Sequence, residues 1–308
     1  MQTTLRGALT FEGIGLHSGR PVRLRILPAS GEYGIWFKRL DVVGLDQMIP
    51  AAWDRVTDPR LCTLLSNADG VSVSTVEHLM AALAGMGVTN ALIELDGPEV
   101  PIMDGSSRGF VQAIQARGLR HVDGEARAIR ILKPVEVVDQ GRVARLEPSD
   151  GFEIDFEIVF EDAAIGAQSA RLDMGPGVFA DQLMECRTFC RKAEVDALQK
   201  MGLARGGSLE NAIVVDGGEV LNPGGARRVA LRSGRARSPR TPRRRALTRA
   251  PTSGTGSCGR LRSGAPVFMP GCGRARGANA PARPPARARA RGAPPGSSRG
   301  ASGRGRGN

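Results

Sequence analysis

Val71-Ser72-Val73-Ser74-Thr75-Val76-Glu77-His78-Leu79-Met80-Ala81-Ala82-Leu83-Ala84-Gly85 sets a carboxylate and an imidazole side by side at a predicted helix start. Val76, Leu79, Met80 and Leu83 follow the i, i+3, i+4, i+7 spacing of an amphipathic helix, which turns that stripe toward a core. Ser74 suits the N-cap, and Glu77 stands three residues later, the capping-box interval. Glu77 and His78 then flank the apolar stripe at the mouth of the helix, where exposed backbone donors favour a carboxylate. One reading is structural: Glu77 completes the cap and His78 is a half-buried polar residue. The other is chemical: an imidazole that ligates a metal beside a carboxylate that takes a proton from metal-bound water is a hydrolase pair.

Outward from this helix, the chain alternates strands and helices. Thr4–Phe11, Val22–Leu27 and Gly34–Arg39 read as strands. Residues 46–70 read as a small irregular insert, and Asn90–Leu95 as another strand. A helix over Ser107–Arg117 stops at Gly118. Ala128–Val138, Ala144–Pro148 and Phe152–Phe160 open a second series. In its last member Phe152, Ile154, Phe156, Ile158 and Phe160 alternate with polar neighbours. Met174–Glu185 covers a turn and a short helix, Glu194–Met201 a further helix, and Asn211–Val215 and Glu219–Asn222 two final strands. Both series begin with strands and proceed to helices, so an internal repeat is expected, with the second series losing its late helix after Asn222. The loop Gly13-Ile14-Gly15-Leu16-His17-Ser18-Gly19 is Gly-rich but lacks the Gly-Lys-Ser/Thr ending of a phosphate loop.

Charge divides the chain at about residue 225. The formal net charge is +12, yet residues 226–308 hold 21 Arg and no Lys, Asp or Glu. Residues 1–225 carry the other 22 basic and all 31 acidic side chains, a net of −9. The front is an acidic globular chain, and the Arg-, Pro-, Gly- and Ala-rich back cannot bury enough apolar surface to offset chain entropy, so disorder is expected from Ala226 onward. Five Cys without disulfide-like spacing, no charged-then-apolar leader and no run of membrane-spanning length point to a reduced, cytoplasmic setting and no membrane span. Cys186 and Cys190, four apart with no second pair nearby, do not make a zinc knuckle.

Six motifs in order are similar to those of the UDP-3-O-acyl-N-acetylglucosamine deacetylases, over Thr3 to about Gly225. They are Gly13–Gly19, Leu61-Cys62-Thr63, Ser74–Leu79, Pro98-Glu99-Val100-Pro101-Ile102-Met103-Asp104-Gly105-Ser106, Arg187-Thr188-Phe189 and Gly206-Gly207-Ser208. The resemblance implies a zinc amidohydrolase of lipid A biosynthesis in Gram-negative bacteria, acting as a monomer on a UDP-linked acyl glucosamine. It implies an α+β fold of two similar domains, each a sheet layered with helices, with the site between the helix layers. Domain one would span 1–124 with a small insert at about 40–70. An incomplete domain two would span 125–225, with a strand–helix insert near 190–215 that forms an acyl-chain tunnel, and 226–308 would be a disordered tail.

The same resemblance assigns roles. The zinc ligand falls on His78, the general base on Glu77, the oxyanion-holding threonine on Thr188 and the sugar-contacting aromatic on Phe189. Leu203, Ala204, Ser208 and Ala212 would wall the tunnel, with Leu61 and Cys62 at its mouth. Read without the family, Thr188 is equally a helix cap and Phe189 a core residue; Asp104 reads as a turn and cap residue outside the chemistry.

One departure from the pattern is large. The family completes its metal site with a His-Lys-x-x-Asp helix after the position of Leu221-Asn222, and with a later Gly-His motif. This chain has three His, at 17, 78 and 121, and no Asp after Asp216. The expected cause is a frameshift near codons 225–229, or a truncation, that leaves deacetylase activity impaired. Two other outcomes stay open: a non-catalytic remnant that still binds the UDP-lipid, and non-specific nucleic-acid binding by the Arg-rich tail, with no specific nucleic-acid partner.

Overall fold

Strand alternation near the N-terminus resolves into one mixed sheet under two helices. The computed structural model describes residues 1–58 and 61–226 and the backbone of 256–263. All of these lie within one compact unit, Met1–Ala275. In chain order the first half contains β1 (Gln2–Leu5), β2 (Leu9–Ile14), β3 (Pro21–Pro28), β4 (Ile35–Arg39), β5 (Met48–Pro50), β6 (Val56–Asp58), β7 (Leu64–Ser66) and β8 (Ser72–Val73). Then come α1 (Glu77–Gly85), β9 (Ala91–Leu95), α2 (Arg108–Arg117) and β10 (Leu119–Val122). The main sheet runs β2-β3-β9-β4-β5, with β9 antiparallel to β3 and parallel to β4. Residues 46–70, expected to be irregular, instead add β5 to that sheet and build most of a separate β6-β7-β8 sheet. The strands are three residues or fewer, too short for alternation to show in the sequence.

Burial follows the pleat: Val22, Leu24 and Ile26 of β3 are buried, and the intervening Arg23 and Arg25 are exposed. Val76, Leu79, Met80 and Leu83 of the predicted stripe are all buried, as are Phe110, Val111 and Ile114 of α2. Phe11 of β2 meets Phe110 edge-on at 4.9 Å between ring centroids. The helices therefore cover one face of the sheet. α2 ends as the sequence predicts, at Gly118 with φ +75°.

The second half contains β11 (Val135–Asp139), β12 (Arg142–Glu147), β13 (Phe152–Val159), β14 (Ala167–Asp173), a π turn (Phe179–Leu183), β15 (Phe189–Arg191), α3 (Lys192–Lys200), β16 (Ile213–Asp216), β17 (Glu219–Val220) and β18 (Gly256–Ser263). Its sheet runs β11-β12-β18-β13-β14, and β15-β16-β17 form a small separate one. Three expectations are corrected. The strand expected from Ala128 begins only at Val135. β14 has no predicted counterpart, because its half-buried alternate residues are Gln168, Ala170 and Leu172, and only the last is a large apolar group. Within the tail expected to be disordered, Gly256–Ser263 pairs as a strand; the rest of that expectation lies outside the described residues.

The two halves are unequally packed. Among the described residues, the first core cluster gathers twenty-five buried apolar residues and the second Ile158, Ile165, Ile213 and Val215. Phe156, Phe160, Phe189 and Val220 pack against those four without being buried themselves, so the second cluster removes far less apolar surface from water than the first. The second half therefore leans on the first. Phe179 of the π turn belongs to the first core cluster and sits where a Cβ on Gly85 would overlap its ring. Gly85→Ala is expected to cost about 1–3 kcal/mol, as overpacking does, read as a lowered denaturation midpoint; an unchanged midpoint would show that Phe179 yields freely.

Candidate active site

The helix carrying Glu77 and His78 does not begin with a capping box. Val76 holds the N-cap position without a side-chain cap bond. Ser74 is instead drawn into backbone pairing with Pro98 and Glu99: its N–H donates to the Pro98 carbonyl at 2.9 Å and its hydroxyl to the same oxygen at 3.3 Å. Thr75 then turns the chain into the helix with φ +57°, a left-handed conformation that a β-branched residue adopts only under constraint. The constraint is visible. The Thr75 hydroxyl donates to Glu99 Oε1 at 2.8 Å, and Glu99 is buried. Glu99 also accepts the backbone N–H groups of His17 (2.9 Å) and Ser18 (3.0 Å), so one buried carboxylate ties the Gly-rich loop to the entry of α1.

Released from capping, Glu77 turns to the insert, where its Oε1 accepts the backbone N–H of Thr63. That places Leu61-Cys62-Thr63 against the helix mouth, with Leu61 exposed and Cys62 half-buried. Burial pushes the Cys62 thiol above its ordinary range, hydrogen bonding to Thr75 pulls the other way, and the Glu77 charge adds to the rise.

His78 is half-buried beside Glu77. Burial lowers its pKa, and the charges of Glu77 and Asp104 oppose that shift. The imidazole is thus held neutral at pH 7, the state in which it can ligate a cation. Asp104 is accordingly close to His78, and the loop that carries it is docked on both sides. Ser107 Oγ donates to the His78 carbonyl at 2.9 Å, and Thr188 N–H donates to the Gly105 carbonyl at 2.8 Å. Arg187 Nε donates to the Asp104 carbonyl at 2.7 Å. The 104–107 loop therefore brings Glu77, His78 and the backbone of Thr188 into one neighbourhood.

The remaining expected residues lie further along the second half. Phe189 starts β15 and packs edge-on against Phe160 at 5.4 Å, within the second cluster. Leu203, Ala204, Ser208 and Ala212 occupy the turn after α3. Leu203 N–H donates to the Leu198 carbonyl, and Ala204 is buried with φ +52°. Ser208 N–H donates to Asn211 Oδ1 at 2.8 Å, and Ala212 N–H to the Ser208 carbonyl at 3.0 Å. That turn meets the Gly-rich loop through Gly206 N–H on the Leu16 carbonyl at 2.9 Å. Thr63, Thr75 and Glu99 are residues that the sequence alone did not single out, and Asp104, read there as a turn and cap residue, lies near His78. All four fall inside quoted motifs, and only their long-range partners reveal what they do.

Cys190 of β15 is half-buried, and burial, with Glu194 adding its charge, pushes its thiol up to about 11. Alkylation of Cys190 at pH 8 is expected to run about 100-fold slower than in an unstructured peptide. Since the unfolded thiol ionises first, Cys190 favours folding below pH 9 and that contribution is lost as the pH rises toward 11. Ordinary peptide-like labelling would contradict its burial.

A catalytic zinc takes three protein ligands. Among the described residues no group of three or more His, Cys, Asp or Glu is placed to hold a metal ion. No His follows His121 anywhere in the chain. His121 sits on β10 opposite Thr3, and the ring nitrogens of His17 are buried without partners in the Gly-rich loop. The residues present supply one imidazole and do not fit a closed zinc set.

Comparison with known proteins gives a consistent picture. The family model described as UDP-3-O-acyl N-acetylglycosamine deacetylase matches residues 2–229. The chain is similar to the UDP-3-O-acyl-N-acetylglucosamine deacetylase of Phenylobacterium zucineum, 48% identical over 227 residues that cover 74% of this chain and 78% of that one. The enzyme of the same name from Myxococcus xanthus is 49% identical over 226 residues, 73% of this chain and 71% of its own length. That from Vibrio cholerae is 44% identical over 228 residues, 73% and 74%.

Proposed function

The chain belongs to the UDP-3-O-acyl N-acetylglycosamine deacetylase family, and from that membership we propose that Glu77, His78 and Thr188 are the surviving part of its N-acetyl hydrolysing site. The family reaction removes the acetyl group from UDP-3-O-acyl-N-acetylglucosamine in lipid A biosynthesis. The observation that carries the reading is Glu77: it sits in the first turn yet caps nothing, and turns to the insert beside a neutral imidazole.

Amide hydrolysis needs a base for the attacking water, donors for the oxyanion and a polarised carbonyl. Glu77 takes the water's proton. The Thr188 hydroxyl, on the residue just before β15 whose N–H is tied to the 104–107 loop, donates to the developing oxyanion. Phe189 meets the substrate sugar, and Leu203, Ala204, Ser208 and Ala212 wall the acyl channel that Leu61 and Cys62 enter. Zinc is the cofactor that the family reading implies, with His78 as its ligand here. One imidazole does not hold it in catalytic form, so the polarising step is the one this chain lacks.

The same reading divides the chain at residues 124/125, assigns 190–215 to the acyl insert and takes the protein as a cytoplasmic monomer. It also takes the tail as the product of a shifted reading frame. The family match ends at residue 229, and the Arg-rich composition begins at about 226. The coding DNA decides the frame: neither alternative frame yielding His-Lys-x-x-Asp downstream of codon 225 would end that idea. In a frame-restored chain, Glu77→Gln is expected to lower kcat by about 10²–10⁴-fold with KM little changed. An undiminished kcat would remove Glu77 from the chemistry.

A second reading, a remnant that binds the UDP-lipid without turning it over, is favoured by the intact docking of the 104–107 loop on Arg187 and Thr188. It predicts saturable binding of UDP-3-O-acyl-N-acetylglucosamine and no acetate release.

A further inference from the structure

The two large sheets share one plan. Each places an antiparallel hairpin on either side of a single central strand: β2–β3 and β4–β5 around β9, β11–β12 and β13–β14 around β18. The flanking hairpins have the same relative directions in both. The central strands do not. β9, arriving from α1, is antiparallel to β3 and parallel to β4. β18 is parallel to β12 and antiparallel to β13, so it fills the corresponding position running the opposite way.

We propose that the space between β12 and β13 is a strand-acceptor slot, and that Gly256–Ser263 of this chain's own tail occupies it as a reversed surrogate for a β9-like strand. An unfilled slot would leave two rows of backbone donors and acceptors unpaired in the middle of a sheet, a strong demand for any extended segment within reach. Main-chain bonds meet that demand without regard to sequence, as in strand addition by a peptide. This explains how a segment with no apolar alternation is recruited.

The register is continuous along the slot. β18 pairs with β13 over its whole length, Phe152–Val159, and with Ala144–Glu147 of β12. The register sets position 260, an Arg, opposite Asp155, and position 262, also Arg, opposite Glu153. On the other side these positions face Arg145 and Glu147. Three of these four register positions set opposite charge types in the two strands. Leu261 lies opposite both Ile154 and Leu146.

Two measurements on the full-length chain test this. Hydrogen exchange is expected to slow the amides of 256–263 at least about 100-fold relative to an unstructured chain, together with those of β13. The register sets Cys258 opposite Glu157, an exposed position, so Glu157→Cys brings two Cys into the opposed spacing that a disulfide needs. Mild oxidation of E157C followed by peptide mapping is expected to give a dominant 157–258 bridge. Unprotected exchange in 256–263, or bridges from residue 157 spread equally over Cys258 and Cys272, would overturn the assignment. Both readouts are independent of deacetylase activity.

Discussion

Purified as encoded, the chain is expected to release acetate from UDP-3-O-acyl-N-acetylglucosamine at least about 10³-fold more slowly than a chain whose reading frame is restored beyond residue 225. The size of the effect follows from which groups remain. Glu77 is free of capping duty and Thr188 is docked beside the 104–107 loop. Removing the agent that polarises the carbonyl leaves only residual catalysis, because groups that act as a unit are grossly non-additive. Added zinc is not expected to rescue the encoded chain, since no His follows His121 and, among the described residues, no group of three or more His, Cys, Asp or Glu is placed to hold a metal ion. Acetate release with and without zinc, measured on both chains side by side, decides it. Comparable rates would mean that residues outside the family pattern complete the site.

The second large effect concerns Gly105. Its φ is +79°, and a Cβ there would overlap the Asn211 carbonyl oxygen, a backbone atom that cannot swing aside. Gly105 is also the residue whose carbonyl accepts from Thr188. Gly105→Ala is therefore expected to cost about 3 kcal/mol, combining left-handed strain with overpacking, and to loosen Thr188 from the neighbourhood of His78. Gly70 isolates the first part: its φ is +78° but nothing lies within 4 Å of its Cβ position, so Gly70→Ala is expected to cost only about 1 kcal/mol. Denaturant midpoints of the two variants should differ clearly. Equal shifts would mean that the contact between the 104–107 loop and Asn211 carries no load.

Periodicity made part of this legible in advance. The stripe at Val76, Leu79, Met80 and Leu83, the alternation of β3 and β13, and the stop at Gly118 are local signals, each set by residues within a turn or two of one another. The site's supports are not local. Thr63 reaches Glu77 across fourteen positions, Glu99 reaches Thr75 across twenty-four, and Thr188 reaches Gly105 across the two halves. No window of sequence contains both ends of such a bond. Ser74 shows the limit most clearly. Its spacing from Glu77 satisfies a capping rule, but pairing with Pro98 outcompetes the cap and frees the carboxylate. β18 failed to register for the opposite reason, because a central slot selects backbone rather than side-chain pattern.

Metal stoichiometry tests the account most directly. After equilibrium dialysis against zinc, the encoded chain is predicted to retain well under one zinc per molecule, and His78→Ala should change that little. A frame-restored chain should retain one, and lose it on the same substitution. One tightly held zinc on the encoded chain, released by His78→Ala, would contradict the claim that this site is only partly built.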